Sequence, residues 1–266
     1  MIKPPTNFRD FHSLIEIVHA LRGPNGCPWD KEQTPHSLTQ FAIEEAFELA
    51  EAIEQGSSED VVEELGDLLL QVILHAEIAS QEKRFNVDDV IETICKKMVS
   101  RHPHVFGDVT VADSAEVLRN WQALKDQEKK NKTNAISSGP FNVPINLPAL
   151  QRAQKIGAKT AKDNFDWEHS DHVLAKIMEE LEELKIAIAQ KDKTAISSEI
   201  GDVLFSVAQY ARHLGVEPEQ SLRETNSRFE RRFSKMRELA QSAGHELKDL
   251  SKDELEALWS NAKKLV

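Results

Sequence analysis

Two short stretches put acids where an apolar helix should run unbroken. Residues 196–205 read ISSEIGDVLF, with Glu199 and Asp202 three apart and Gly201 between them. Residues 61–70 read VVEELGDLLL, with Glu64, Gly66 and Asp67 in the same order. Asp and Gly together cost a helix interior roughly 1.5 kcal/mol relative to Ala, so something must offset them. Each stretch is preceded by another acidic pair, Glu45/Glu48 in one case and Glu180/Glu183 in the other. Spacing of i, i+3 puts the members of a pair on one helix face. A lone E-x-x-E is usually a solvated face, but carboxylates gathered at the edge of an apolar surface repel one another and take up protons unless a cation neutralises them. Mg²⁺ takes carboxylate oxygens and keeps positions for water and phosphate. All-carboxylate ligation favours Mg²⁺ or Mn²⁺ over iron or zinc. A di-iron bundle would need E-x-x-H on two helices; one such match exists, Glu16-Ile17-Val18-His19, and it has no counterpart in the other half, so His19 reads as a packed or surface histidine.

The elements that position these acids are themselves repeated. A shift of 135 residues carries Glu64 onto Glu199, Asp67 onto Asp202, Glu45 onto Glu180 and Glu48 onto Glu183, and the register holds without a gap from Glu44 to Ala76. Leu49/Leu184, Ile53/Ile188, Leu69/Leu204 and Val72/Val207 coincide too, so an apolar stripe is repeated along with the acids. In each copy the two pairs sit on consecutive helices joined by a tight turn, Gly56-Ser57-Ser58 or Lys191-Asp192-Lys193, which makes those helices antiparallel. Each pair lies about two helical turns from its turn, so the four carboxylates meet at one height.

With ten Gly and ten Pro in 266 residues and long 3.6-period stretches, the chain reads as all-α, two tandem repeats of one helical bundle joined by a linker. Helices are expected near 8–22, 36–55, 58–82, 87–101 and 113–130, then near 148–163, 169–190, 193–214, 217–242 and 251–265. RGPNGCPWDKEQTP and KDNFDWEHS are the intervening Trp-containing loops. The charge, Ser, Gly and Pro content of EKKNKTNAISSGPFNVPIN places a linker at 128–147 between domains 1–127 and 148–266. A net charge of −12 argues against a nucleic-acid or anionic-membrane binder. Two cysteines in different contexts, no signal-peptide core and no long apolar run point to a soluble cytoplasmic protein.

The second copy adds NSRFERRF, in which Asn226, Arg228 and Arg232 recur at helical spacing. Such a stripe is either a solvated basic face or, in so acidic a domain, a grip for a triphosphate held jointly with metal. The first copy has Lys97 and Arg101 in those places and Cys95 where Asn226 stands. Trp121 and Trp259 occupy matching positions in the terminal helices, as core residues or as a wall for a nucleobase.

The doubled EE-x-x-E plus E-x-x-D pattern, with GCPWDKEQT, SRHPHVFGD and RFERRF, resembles the MazG family of nucleoside triphosphate pyrophosphohydrolases over essentially the whole chain. The resemblance implies an all-α fold, an interleaved homodimer, and Mg²⁺-dependent hydrolysis of NTPs and dNTPs to the monophosphate and pyrophosphate. It makes Glu180, Glu183, Glu199 and Asp202 metal ligands, with Glu45, Glu48, Glu64 and Asp67 a second such set. It puts Lys176, Ile177, Met178, Glu179 and Glu180, then Ala195, Ile196, Ser197 and Ser198, then Asp202, Asn226, Arg228, Arg232 and Trp259 around the nucleotide. Members of that family often carry Lys where this chain has Arg228. Glu179 and Glu180 are the candidates to accept the proton of the attacking water. The rival expectation is a nucleotide-binding regulator without turnover on the same helices.

Overall fold

A computed structural model describes residues 3–130 and 140–266; among them every regular element is a helix. The chain divides into two compact units, residues 1–133 and 134–266. Of the segment expected as a linker, residues 131–139 lie outside the described residues. Unit 1 contains α1 (Phe11–Arg22), α2 (Pro28–Glu32), α3 (Thr39–Gln55), α4 (Ser58–Gln81), α5 (Val87–Arg101), α6 (Pro103–Phe106) and α7 (Ser114–Lys130). Unit 2 contains α8 (Ala149–Thr160), α9 (Ser170–Gln190), α10 (Lys193–His213), α11 (Pro218–Ser242) and α12 (Lys252–Leu265), with single 3-10 turns at Ala161–Asp163 and Leu247–Asp249. The ten expected helices are all present, their ends within three residues of expectation. The two that sequence periodicity misses, α2 and α6, are five and four residues long, too short to show a period, and each starts on a proline whose fixed φ suits a first turn.

The repeat is visible in the backbone. α3 ends at Gln55 and α4 begins at Ser58; α9 ends at Gln190 and α10 begins at Lys193, both shifts being 135 residues. The two turns reach the same length by different chemistry. Ser57 caps α4 in a reciprocal box with Asp60, and a Cβ on Gly56 would lie 2.7 Å from the Ala52 carbonyl oxygen, so only glycine fits there. In unit 2, Lys191 turns the chain through a left-handed φ of 57°, and the Asp192 carboxylate accepts from the Thr194 and Ala195 N–H groups at 2.9 and 3.1 Å.

The α1, α3 and α4 apolar faces close a core of Val18, Leu38, Ile73, Leu74 and Ile78, with Leu14, Ile15, Phe41 and Leu70 against it. In unit 2, α10 packs on α9 and α8, while α11 touches α8 and α10 and pairs with α12. Here a buried polar residue replaces one of the aliphatic ones. Position 209 is the repeat partner of Leu74 and holds glutamine, fully buried. Its Nε2 donates to the Ala153 carbonyl (2.7 Å) and its Oε1 accepts from Arg212 Nε (2.8 Å). A Cβ on Gly157 would sit 1.7 Å from that Oε1, so the amide lies directly on the α8 backbone.

Arg212 continues the network to the loop before α9. Its Nη1 and Nη2 donate to the two Asp166 oxygens (2.9 and 2.5 Å), and His213 Nε2 and the Trp167 N–H reach the same carboxylate at 3.1 and 2.9 Å. These bonds to Arg212, with help from His213 and the Trp167 amide, pull the Asp166 carboxyl down to about 2. A depressed acid contributes stability above its unfolded value near 3.8 and loses it as pH falls through about 2. We therefore expect Asp166→Asn to lower the melting temperature by about 4 °C at pH 7, and to lower it far less at pH 2. Circular-dichroism melts at the two pH values check this, and an equal loss at both would refute the ion pair.

Candidate functional site

The α9/α10 hairpin sets the heights of its acids. At about 1.5 Å per residue, Glu183 and Glu199 lie roughly 10 Å from the turn and Glu180 and Asp202 roughly 14 Å. Glu180, Glu199 and Asp202 each present a carboxylate oxygen, and the three oxygens lie within 4.8 Å of one another. In unit 1 the trio is Glu45, Glu48 and Glu64. In each unit the fourth acid stands outside this group but inside its field. Burial, then the charges of Glu180 and Glu199, push the Glu183 carboxyl above its ordinary value. Burial and the neighbouring Asp67, Glu48 and Glu64 do the same to Glu45.

Glu180 is 5% exposed, although a carboxylate of that burial needs a compensating charge. Part of it comes from Lys176, whose Nζ is 2.8 Å from Oε1 of both Glu180 and Glu179. Those two bonds raise the lysine above its ordinary value, Glu179 contributing most. One lysine against this many carboxylates leaves the cluster strongly negative. Glu64 Oε2 in unit 1 is buried without a hydrogen-bond partner. Hard, crowded, under-compensated oxygens of this kind fit a divalent cation such as Mg²⁺ or Mn²⁺, and nothing in the donor set favours a softer metal.

The two helix segments expected around a nucleotide flank this cluster. Lys176 to Glu180 extend from about 21 Å to about 15 Å from the turn, whereas Ala195 to Ser198 occupy the first turn and a half of α10, roughly 3 to 8 Å from it. Ile177, Ala195 and Ile196 are half-buried; Met178, Glu179, Ser197 and Ser198 are exposed. A ligand touching both segments must run along the hairpin across the carboxylates.

Asn226, Arg228 and Arg232 lie on α11, and Trp259 on α12 joins them by packing on Phe229 at 5.1 Å, with Phe233 stacked on Phe229 at 6.2 Å. Lys263 Nζ stands 5.7 Å from the Trp259 ring. Arg228 turns back on its own helix to Thr225 Oγ1 (2.8 Å), and Arg232 Nε is buried with no partner. Asn226 is exposed. This basic and aromatic group forms its own ridge rather than bonding to the acids. The matching group in unit 1 is closed on itself: Arg101 donates through Nε and Nη2 to both Glu128 oxygens and lies 5.4 Å from the Trp121 ring, and Lys125 stands 4.7 Å from that ring. Cys95 is exposed and unpaired. Sequence spacing missed the Arg101–Glu128 pair, and it missed the Gln209–Arg212–Asp166 network. A glutamine continuing the stripe Glu199, Asp202, Ser206 along an apolar helix was the available signal for the second.

The expected MazG resemblance holds in direct comparison. Residues 33–106 match the sequence model of the MazG nucleotide pyrophosphohydrolase domain, and residues 148–229 that of phosphoribosyl-ATP pyrophosphohydrolase. Both matches contain the acidic hairpin. The chain is 42% identical over 254 residues to the nucleoside triphosphate pyrophosphohydrolase/pyrophosphatase MazG of Thermotoga maritima, covering 95% of each protein. To the nucleoside triphosphate pyrophosphohydrolase of Escherichia coli K12 it is 39% identical, over 94% of this chain and 96% of that one. A further relative, the uncharacterised protein YabN of Bacillus subtilis, is 44% identical over 257 residues, and the chain spans 52% of its length. Similarity this high, running through both copies of the acidic hairpin and nearly end to end in two relatives, makes the chain a member of the MazG family of nucleotide pyrophosphohydrolases.

Proposed function

We propose that this protein hydrolyses nucleoside and deoxynucleoside triphosphates to the monophosphate and pyrophosphate, with Mg²⁺ or Mn²⁺ held by Glu180, Glu183, Glu199 and Asp202. The observation that carries this reading is the trio of Glu180, Glu199 and Asp202 oxygens within 4.8 Å, in a chain whose relatives are named for that activity. When bound, the cation supplies neutralising charge at the phosphate oxygens and makes water more acidic. A water oxygen bonds to the α-phosphorus, the bond to the α,β-bridging oxygen breaks, and its electron pair leaves with pyrophosphate. Glu180, buried within the trio, has to stay ionised to serve as a ligand. Glu179, next to it and exposed, can take the water's proton and release it to solvent. Arg228 and Arg232 grip the departing phosphates through planar donors, and the unpartnered Arg232 Nε is ready for one. Incubation of the purified chain with Mg²⁺ and each triphosphate should release pyrophosphate and monophosphate in equal amounts and no orthophosphate. Tight nucleotide binding without turnover would establish a regulator instead.

The same reading includes a homodimer in a reducing cytoplasm, which two unpaired cysteines suit. On the α9/α10 hairpin, Ile186, Ile188, Ile200, Leu204 and Val207 are exposed, a row of apolar side chains that a second copy would cover. A glycine at 201 leaves room for a neighbouring helix or for substrate to come close. Among the described residues no helix does: a Cβ on Gly201, or on its repeat partner Gly66, would meet nothing within 4 Å. We assign the approach to the partner subunit, because the exposed apolar row flanks the same helix. Light scattering should report a dimer at micromolar concentration, and Gly201→Ala, which by helix propensity alone gains about 1 kcal/mol, should raise its dissociation constant. A variant that is more stable and equally dimeric would remove the partner from that face.

A further inference from the structure

Unit 2 contains a cavity of about 440 Å³ that the phosphate chemistry leaves unused. Its walls are Phe141, Ile156, Phe165, Trp167 and Phe205, with Gln209 at its floor. Three features separate it from an incidental gap between helices. It is walled by four aromatic rings, the composition of a small-molecule site rather than of a solvated crevice. Its loop wall is fixed in place: Asp166, between Phe165 and Trp167, is clamped by Arg212, which is itself braced by the buried Gln209. Its third feature is position. Phe205 lies one turn beyond Asp202 on α10, and Gln209 two turns beyond, so the cavity opens along the same helix about 5 to 10 Å past the carboxylates. It lies on the side away from the α9/α10 turn, the side where Lys176 stands.

Resting on the pyrophosphohydrolase reading, we propose that this cavity holds the base of the nucleotide substrate, with the α-phosphate at the carboxylate trio and the β- and γ-phosphates directed toward the N-terminal turn of α10. The size fits, since ligand cavities begin at roughly 300 Å³. The span fits too, because a ribose bridges base and α-phosphate over a few ångströms, as the helix offset requires. At the other end, the N-terminal part of α10 presents the exposed Ser197 and Ser198 hydroxyls, donors that suit departing anionic oxygens. Stacking faces are common to all bases, so an aromatic cavity of this kind predicts turnover of purine and pyrimidine triphosphates alike. It also predicts that Trp259, on the α11/α12 ridge, meets phosphate or sugar rather than the base.

The test separates base from phosphate. Phe205→Ala removes one wall, Ile156→Trp fills the cavity, and Trp259→Ala serves as the contrast. KM is measured for ATP and CTP, and inorganic tripolyphosphate, which has no base, is measured as a competitive inhibitor. We expect Phe205→Ala and Ile156→Trp each to raise KM about tenfold, the scale of one lost base–aromatic stack, with the tripolyphosphate inhibition constant moving less than twofold. Trp167 should report nucleoside monophosphate binding by fluorescence, a signal absent in Trp167→Phe. If both cavity variants shift nucleotide and tripolyphosphate equally, or shift neither while Trp259→Ala carries the base-dependent loss, the assignment is overturned. If light scattering shows that they only dissociate the dimer, the cavity belongs to the partner subunit and the assignment is again overturned. Failure of wild type to release pyrophosphate from any triphosphate would instead refute the activity itself.

Discussion

Asp202→Asn is expected to abolish pyrophosphate release by unit 2, and Glu183→Gln to reduce it severely, with both proteins still folded. Asp202 belongs to the close trio, so its loss removes one of the oxygens that would hold the cation, and turnover by unit 2 is expected to fall at least about a thousandfold. Glu183, the fourth proposed ligand, lies outside the close trio, so its amide should cost unit 2 less, about a hundredfold. The reason to expect intact folding is electrostatic. Burial and its neighbours already hold the Glu183 carboxyl above its ordinary value, which means that its charge opposes folding in the absence of metal. Glu183→Gln should therefore melt at or above the wild-type temperature without metal. With Mg²⁺ the order should reverse, because wild type gains stability from binding and the variants gain little. Full activity in either variant, with unchanged Mg²⁺ dependence, would refute the metal assignment. A low melting temperature without metal would show the acids to be structural.

What the sequence made legible followed from period and repetition. Long helices with a 3.6-residue stripe announce themselves, and a copy of each 135 residues away doubles the signal, which is why the α3/α4 and α9/α10 boundaries coincide with expectation to within a residue. The acids were legible because they violate the stripe. Contacts that join distant segments without violating anything local were not. Asp166 in a loop and Arg212 at a helix end are unremarkable residues until the fold brings them to 2.5 Å. Gly201 was legible only as room for a neighbouring helix or for substrate. A glycine inside a helix signals a close approach, but one sequence does not say whether the approaching group belongs to the same chain. Nor does spacing show which three of four acids will point inward: in unit 1 both α3 acids do so, in unit 2 both α10 acids.

The acids do not decide which unit turns substrate over. Both hairpins gather carboxylates, so metal ligation cannot distinguish them, and the difference must lie in the groups that meet phosphate. Unit 2 offers Asn226, Arg228 and Arg232 along α11, with the Arg232 Nε buried and unpartnered. Unit 1 offers Lys97 and Arg101, with Cys95 in the place of the amide, and its arginine is already engaged. Both Glu128 oxygens accept from the Arg101 guanidinium, and Trp121 lies beneath it, so a carboxylate occupies the fork that a phosphate would need. Val266 stands at the place in unit 2 that Glu128 fills in unit 1, three residues past the lysine beside the tryptophan and seven past the tryptophan itself. Displacing an internal ion pair and lacking one amide contact together cost a few kcal/mol of transition-state binding, or on the order of a hundredfold in rate. We therefore expect Glu48→Gln/Asp67→Asn in the full chain to retain most pyrophosphate release and Glu183→Gln/Asp202→Asn to retain about a hundredth or less. Adding Glu128→Gln to the second variant tests the cause, because freeing Arg101 should restore measurable triphosphate binding to unit 1 even if turnover stays low. Activity lost in the first variant and kept in the second would reverse the assignment, and equal halving by each would show that both units work and that the Arg101–Glu128 pair yields to substrate.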